Sequence, residues 1–339
     1  MDLYRVLRPV LFALPADMAH DVSLWAFRRR FWSRLPIVRP PTLELRTRIG
    51  GMEMDNPFGL AAGFDKNGDI TASMMSLGFG FTVVGSVRPG PHPGNPRPWF
   101  VRRREEGGLV NSMGLPSKGP AHVRRRLRGL KTKVPVLVSV VGETPADFVQ
   151  VYENLEGVAR AWEVNLSCPN TATGRTFEED LDAFDGLLTA LKPLPRPAFL
   201  KLSPYEDEEG RERALEMGNR AVRRGFQNFT LCNTLPVEER RLGVGRGGLS
   251  GRPLFPLALQ VVRDFRDEWG DKVNIIGVGG ILSGAQAFEM LAAGAQALEV
   301  LTALILRGPL VIGQLIEELE EVMKAKGFQT VEEVVSHEA

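Results

Sequence analysis

Long hydrophobic runs are missing from this 339-residue chain. No apolar stretch reaches the roughly 18 residues that a membrane-spanning helix needs. Cysteine is scarce as well. The two thiols, Cys168 and Cys232, make neither a disulfide framework nor a CxxC metal pair. That fits a reducing compartment, and no metal site is expected. An excess of one charge sign is also missing: a formal net charge of +1 argues against wholesale nucleic-acid binding. No secretory signal is expected, because Pro15, Asp17 and Asp21 interrupt the first apolar stretch. What remains is an ordinary globular composition, 43% hydrophobic and 24% charged. The length suits one large α/β domain or two smaller ones.

The charge is unevenly placed. Residues 1–40 hold seven Arg against three Asp, a balance of +4 that leaves −3 for the rest. Leu3, Val6, Leu7, Val10, Leu11 and Leu14 fall at helical spacing, and Met18, Val22, Leu24, Trp25 and Phe27 follow Pro15. Arg28, Arg29, Arg30 and Arg34 cluster with Trp25, Phe31 and Trp32. Two short amphipathic helices with a basic, aromatic rim are predicted. Such a hairpin suits an anionic membrane surface; the plainer alternative is a helical cap packed on the main domain. Leu35 to Pro41, with three prolines, reads as a linker.

From residue 45 to 339 the pattern changes to short apolar strands alternating with helices. Strands are predicted to end near Ala61, Gly85, Val140, Leu166, Leu202, Leu231, Gly277 and Leu301. Eight of them, alternating with helical segments, predict an α/β fold of the (β/α)8 barrel type. Chemistry in such barrels gathers at the C-terminal strand ends. Those ends carry Ala62-Gly63-Phe64-Asp65-Lys66, Ser86, Ser139, Asn165, Lys201, Cys232-Asn233-Thr234, Gly279-Gly280 and Thr302.

The fourth end is the most pointed. Asn165-Leu-Ser-Cys-Pro-Asn170 closes a strand with two amides, a hydroxyl and a thiol. Pro169 stops the strand and biases Cys168 away from helix. A thiol with an unperturbed pKa of roughly 8.5, set among amide donors and acceptors, is a plausible base. The plainer alternative is a structural turn beside a buried cysteine.

Gly277-Val-Gly-Gly-Ile281 opens a helix through Ser283, a geometry suited to a phosphate. Gly247-Gly-Leu-Ser-Gly-Arg-Pro253 offers further backbone donors or, alternatively, a flexible surface loop. Lys201, flanked by apolar residues, is expected to point into the barrel mouth, near an electron-rich cofactor; a solvated strand end is the alternative. Asn111-Ser-Met-Gly-Leu115 sits in a long connection after strand two. Arg102-Arg103-Arg104, next to Glu105 and Glu106, reads as a solvated charged face.

Together these motifs resemble the dihydroorotate dehydrogenase family over almost the whole chain. The resemblance rests on Asn56-Pro-Phe-Gly-Leu-Ala-Ala-Gly-Phe-Asp-Lys66, Pro93-Gly-Asn-Pro-Arg-Pro98, Gly108-Leu-Val-Asn-Ser-Met-Gly114, Asn165-Leu-Ser-Cys-Pro-Asn170, Gly247-Gly-Leu-Ser-Gly-Arg-Pro253 and Ile276-Gly-Val-Gly-Gly-Ile281. It implies an FMN-dependent (β/α)8 barrel that oxidises dihydroorotate to orotate in pyrimidine synthesis. It implies Cys168 as the base that takes a proton from C5, with the C6 hydride passing to FMN. Lys66, Asn111, Asn165, Asn170, Asn233 and Thr234 would hold the substrate, with Ser112, Met113, Gly114 and Leu115 in the same loop. Ala62, Gly63, Phe64, Asp65, Lys66, Ser86, Ser139, Asn165, Lys201, Cys232, Gly251, Gly280, Leu301 and Thr302 would contact the flavin.

Leu3 to Leu14, followed by Ala19-His20, resembles the hairpin of the family's membrane-associated, quinone-dependent class. That class implies a peripheral protein on the cytoplasmic face of the cell membrane, with His20 and Arg102 near the quinone route. Three residues depart from it. Cys168 stands where the class usually has serine, Ser139 where it has asparagine, and Leu301 where it has tyrosine. Quinone is the expected acceptor, because the hairpin is a whole element and the departures are single substitutions. The alternatives are the same reaction with fumarate or NAD, and a non-catalytic flavin- or phosphate-binding barrel.

Overall fold

Eight parallel strands form the centre of a computed structural model that describes residues 3–30, 41–166, 177–193 and 197–337. Strands β1 to β8 are Phe58–Leu60, Phe81–Val87, Val136–Val140, Ala161–Asn165, Ala198–Leu202, Asn228–Leu231, Asn274–Val278 and Ala297–Val300. Each pairs with the next, and β8 returns to β1, so the sheet is a closed barrel. The expected strand ends fall within two residues of the observed ones. Continuous apolar runs such as Val136-Leu-Val-Ser-Val140 suit this sheet, because barrel interior and helical shell bury both faces.

At least one helix follows every strand. Local chemistry fixes several helix starts. Thr144 and Asp147 make a reciprocal capping box around Pro145, while Asp180, Asp207 and Ser283 each cap a helix through a side-chain oxygen. The N-terminal end of the barrel is stoppered by a small antiparallel ribbon, Thr47–Ile49 with Met52–Met54. Its Ile49, Met52 and Met54 pack on Phe81, Leu137, Phe199 and Ile276. That leaves the C-terminal end of the barrel interior open for a ligand.

Two long connections build over the open end. Phe100–Arg103 and Gly108–Asn111, from the connection after β2, pair with Arg246–Gly251 and Leu235–Glu238, from the connection after β6. The glycine-rich 247–251 stretch, expected to supply further backbone donors or else to be a flexible surface loop, is a strand in this sheet. Gly248 is required there: a Cβ would stand 1.9 Å from Thr234 Oγ1.

The N-terminal segment forms helices α1 (Leu3–Ala13) and α2 (Ala16–Arg28). Arg102 corrects the expectation of a solvated arginine run. Its guanidinium donates to the carbonyls of Leu11, Phe12 and Leu14, at 3.3, 3.3 and 2.8 Å. Arg104 also donates to Phe12 O. These carbonyls belong to the end of α1, where backbone acceptors lack helical partners and the dipole favours a cation. Asp17, in the first turn of α2, accepts from the backbone N–H of Trp99 at 2.9 Å. Arg97 bridges to Asp21, and Ser73 donates to Phe27 O at 2.6 Å. The hairpin is thus tied to the barrel at both ends. The expected linker, residues 35–41, lies almost entirely outside the described residues.

Candidate active site

A cavity of about 160 Å³ opens at the C-terminal end of the barrel. The first β-strand end contributes Ala62, Gly63, Phe64 and Lys66, and the second contributes Ser86. Asn165, Lys201, Cys232, Asn233 and Thr234 enter from the next ends, and Gly280, Leu301 and Thr302 close the ring. Asn111, Met113, Gly114 and Leu115 reach it from the overlying connection, and His20 from the hairpin.

Four expected residues do not line this cavity. The Asp65 carboxylate turns away to accept from Thr71 Oγ1 and Ile70 N–H, so it organises the start of the next helix. Burial, opposed by those hydrogen bonds, raises its pKa. Ser139 lies behind Ser86, their hydroxyls 2.8 Å apart, and Ser86 accepts from Asn165 Nδ2 at 2.9 Å. Ser139 therefore acts through Ser86 to hold the Asn165 amide. Ser112 is fully buried and accepts from Asn95 Nδ2 at 3.2 Å, so its hydroxyl braces the connection. Gly251 packs its carbonyl against Gly280, where a Cβ would come within 2.6 Å of it. Cys168 and Asn170 lie outside the described residues.

Two site residues escaped the sequence reading. Glu299 lines the cavity, and Glu163 lies fully buried beside it. Lys201 Nζ stands 3.2 Å from Glu163 Oε2 and 3.4 Å from Glu299 Oε2. A carboxylate in an apolar barrel strand, in Trp162-Glu163-Val164 and Leu298-Glu299-Val300, was the available signal. Burial alone would lower the Lys201 pKa, but the two carboxylates overturn that and hold it above its ordinary value. Burial pushes the Cys232 thiol up to about 12, so it stays protonated.

A second cavity, of about 210 Å³, lies between the hairpin and the barrel. Tyr4, Leu7, Leu11, Phe12, Ala19 and Phe27 line it, together with Arg102, Leu304 and Pro309. His20, Phe64, Phe100, Leu109 and Ile305 line both cavities and form the wall between them. The His20 ring packs 4.8 Å from Phe100 and edge-on to Phe64 at 6.0 Å. Burial, and next the Lys66 ammonium, lower its pKa to about 4, so this wall is uncharged at neutral pH.

A closed (β/α)8 barrel with a mixed polar and apolar cavity at its C-terminal mouth has the build of a small-molecule enzyme. The chain belongs to the dihydroorotate dehydrogenase family, whose model matches residues 44–323. It is 32% identical to dihydroorotate dehydrogenase (quinone) of Novosphingobium aromaticivorans, with all of both chains covered. It is 34% identical to the protein of the same name from Roseiflexus sp., covering 98% of each. A crystal structure of DHODH from Eimeria tenella in complex with ferulenol superposes with a TM-score of 0.85 at 27% identity, over 97% of this chain and 98% of that one.

Proposed function

We propose that this protein oxidises dihydroorotate to orotate in pyrimidine biosynthesis, with FMN as its flavin and a quinone as the final acceptor. The observation that carries this reading is the pair of cavities sharing one thin aromatic wall, a polar one in the barrel mouth and an apolar one under the hairpin. A polar, planar substrate and an apolar acceptor need such separate rooms.

The residues present fit a flavin. Asn165 Oδ1 is buried at the cavity without a hydrogen-bond partner among the described residues, an acceptor waiting for a ligand N–H. Gly279 and Gly280 have φ of +136° and +69°, and a Cβ on Gly280 would come 2.7 Å from Phe255 N. Their backbone, just ahead of the helix capped by Ser283, suits the phosphate. Bound FMN supplies a hydride acceptor that can pass its electrons onward. Ala62, Gly63, Ser86, Asn165, Lys201, Cys232, Gly280, Leu301 and Thr302 would hold it.

Lys66 and the amides of Asn111 and Asn233, with Thr234, orient the substrate, the lysine toward its carboxylate and the amides toward ring carbonyls and N–H groups. Asn170 completes this set. Cys168 takes the proton from C5. His20 stays neutral and, with Phe64 and Phe100, keeps water out of the passage between the cavities.

Residues 1–40 act as the quinone- and membrane-facing unit and 45–339 as the flavin barrel. Val6, Val10, Met18, Val22 and Trp25 are exposed on the hairpin, beside Arg28 and Arg29. Among the described residues no helix is long and apolar enough to cross a membrane. On this reading the exposed apolar and basic side chains of the hairpin rest peripherally on the cytoplasmic face of the cell membrane. Steady-state oxidation of dihydroorotate with a short-chain quinone, fumarate and NAD side by side tests the reading. Quinone is expected to be strongly preferred, and a preference for fumarate or NAD overturns it.

A further inference from the structure

Three polar side chains point into the barrel from its even-numbered strands: Glu163 on β4, Thr230 on β6 and Glu299 on β8. All three are at most 1% exposed. Inward residues of alternate strands form one layer in such barrels, and that layer is ordinarily apolar and branched. Here each of the three leaves one oxygen buried without a hydrogen-bond partner among the described residues: Glu163 Oε1, Thr230 Oγ1 and Glu299 Oε1. Lys201 donates to the other oxygen of each glutamate. The layer thus holds two carboxyls against one ammonium, away from water. Two ionised carboxylates there would leave an uncompensated buried charge, which is expensive. One proton between them removes that charge, and it gives an otherwise orphaned carboxyl oxygen a partner.

We propose that Glu163 and Glu299 are positioning residues for Lys201, and that the three groups carry one exchangeable proton that fixes the charge presented to the flavin. This inference rests on the reading that the cavity binds FMN. With the proton in place, the triad is neutral overall. Without it, the triad carries one net negative charge in a low-dielectric wall, and a negative charge there opposes adding electrons to the flavin. The chemistry of the site agrees. Burial first, and then the neighbouring Glu163 carboxylate, raise the Glu299 carboxyl to about 8 against the pull of Lys201. The proton therefore leaves at the alkaline edge of the working range.

The other titratable groups facing this cluster among the described residues do not supply that behaviour. Cys232, raised to about 12 by burial, stays a thiol. His20, lowered to about 4, is already neutral. Lys66 lines the cavity as a cation like Lys201 itself, not as an acid.

The test is the midpoint potential of FMN in the holoenzyme, measured by spectroelectrochemical titration as a function of pH, for the wild type, Glu299→Gln and Glu163→Gln. Either single variant leaves one carboxylate against one ammonium. Below the transition near pH 8, each is expected to match the wild type. Above it, the wild-type flavin should be harder to reduce than either variant, by roughly tenfold in the reduced-to-oxidised equilibrium, or about 30 mV for a two-electron couple. Glu299→Gln is nearly isosteric and suffices by itself if Glu163→Gln does not fold. Parallel pH curves for wild type and Glu299→Gln overturn the proposal while leaving FMN binding intact. A purified protein that retains no FMN overturns the underlying reading and this inference with it.

Discussion

Several side chains at the barrel mouth matter through what they hold, and single substitutions separate holding from chemistry. Ser139 fixes Ser86, which fixes the Asn165 amide. Gly248 leaves room for Thr234, because a Cβ would stand 1.9 Å from its hydroxyl oxygen. Gly248→Ala is therefore expected to raise the KM for dihydroorotate about tenfold, roughly 1.4 kcal/mol of lost positioning, with flavin content unchanged. Unaltered KM would mean that Thr234 does not touch substrate. Cys168, proposed as the base, would belong to the other kind. A thiol is far more acidic than a serine hydroxyl, so it needs less assistance to accept a proton near neutrality. Cys168→Ser should keep FMN but move the pH profile of flavin reduction, followed by stopped-flow bleaching, to higher pH. An unmoved profile counts against Cys168 as base. The sequence made the strand-end residues legible because their polarity interrupts apolar runs. It did not separate Asp65 and Ser139 from their cavity-lining neighbours, since one residue's rotation about a strand end decides which way a side chain faces. Glu163 and Glu299 were readable in principle, as charges inside strands that should have none.

Among the elements, the hairpin was the more legible and its attachment the less so. The helical spacing from Leu3 to Phe27 matches α1 and α2, broken at the turn before Ala16. What holds them was hidden, because the anchors are 40 or more residues away. Arg102 and Arg104 cap α1, and Trp99 N–H binds Asp17. An arginine run beside two glutamates looks solvated in sequence. Only the strand Phe100–Arg103 turns Arg102 toward the α1 carbonyls. Arg102→Met removes a partly buried cation that donates to three of them. A loss of about 2 kcal/mol in hairpin docking is expected. The readout is a split: quinone-dependent turnover falls severalfold while flavin reduction by dihydroorotate keeps its rate. Deleting residues 1–40 should give the same split in extreme form. If flavin reduction falls equally in either variant, the hairpin serves barrel stability and not acceptor choice.

At the scale of the whole molecule, the barrel was legible because eight strand ends and their helices repeat a period that few other folds share. The joining of the β2 and β6 connections into one sheet was not, because strand pairing across more than a hundred residues leaves no local trace. That sheet presses Phe100 against His20, and so ties hairpin docking to protonation. The fold holds His20 neutral, with its pKa lowered from 6.5 to about 4, by burial first and by Lys66 next. Once the hairpin lifts, the ring recovers its ordinary affinity for a proton. Between those two values the undocked state binds more protons than the docked one, so docking is strongest above pH 6.5 and weakens as pH falls toward about 4. Below that both states are protonated, and the loss stops growing. The shift corresponds to at most about 3 kcal/mol, less whatever screening the partly exposed ring allows. Hydrogen exchange of the α1 and α2 amides, followed across this range, should show protection falling with pH in the wild type. The telling quantity is the difference from His20→Gln. That variant lacks the titrating ring and should lose the slope between pH 6.5 and 4 while keeping any steeper fall at lower pH. Identical slopes in the two proteins would place the acid sensitivity in the carboxylates and leave His20 a purely apolar part of the wall between the two cavities.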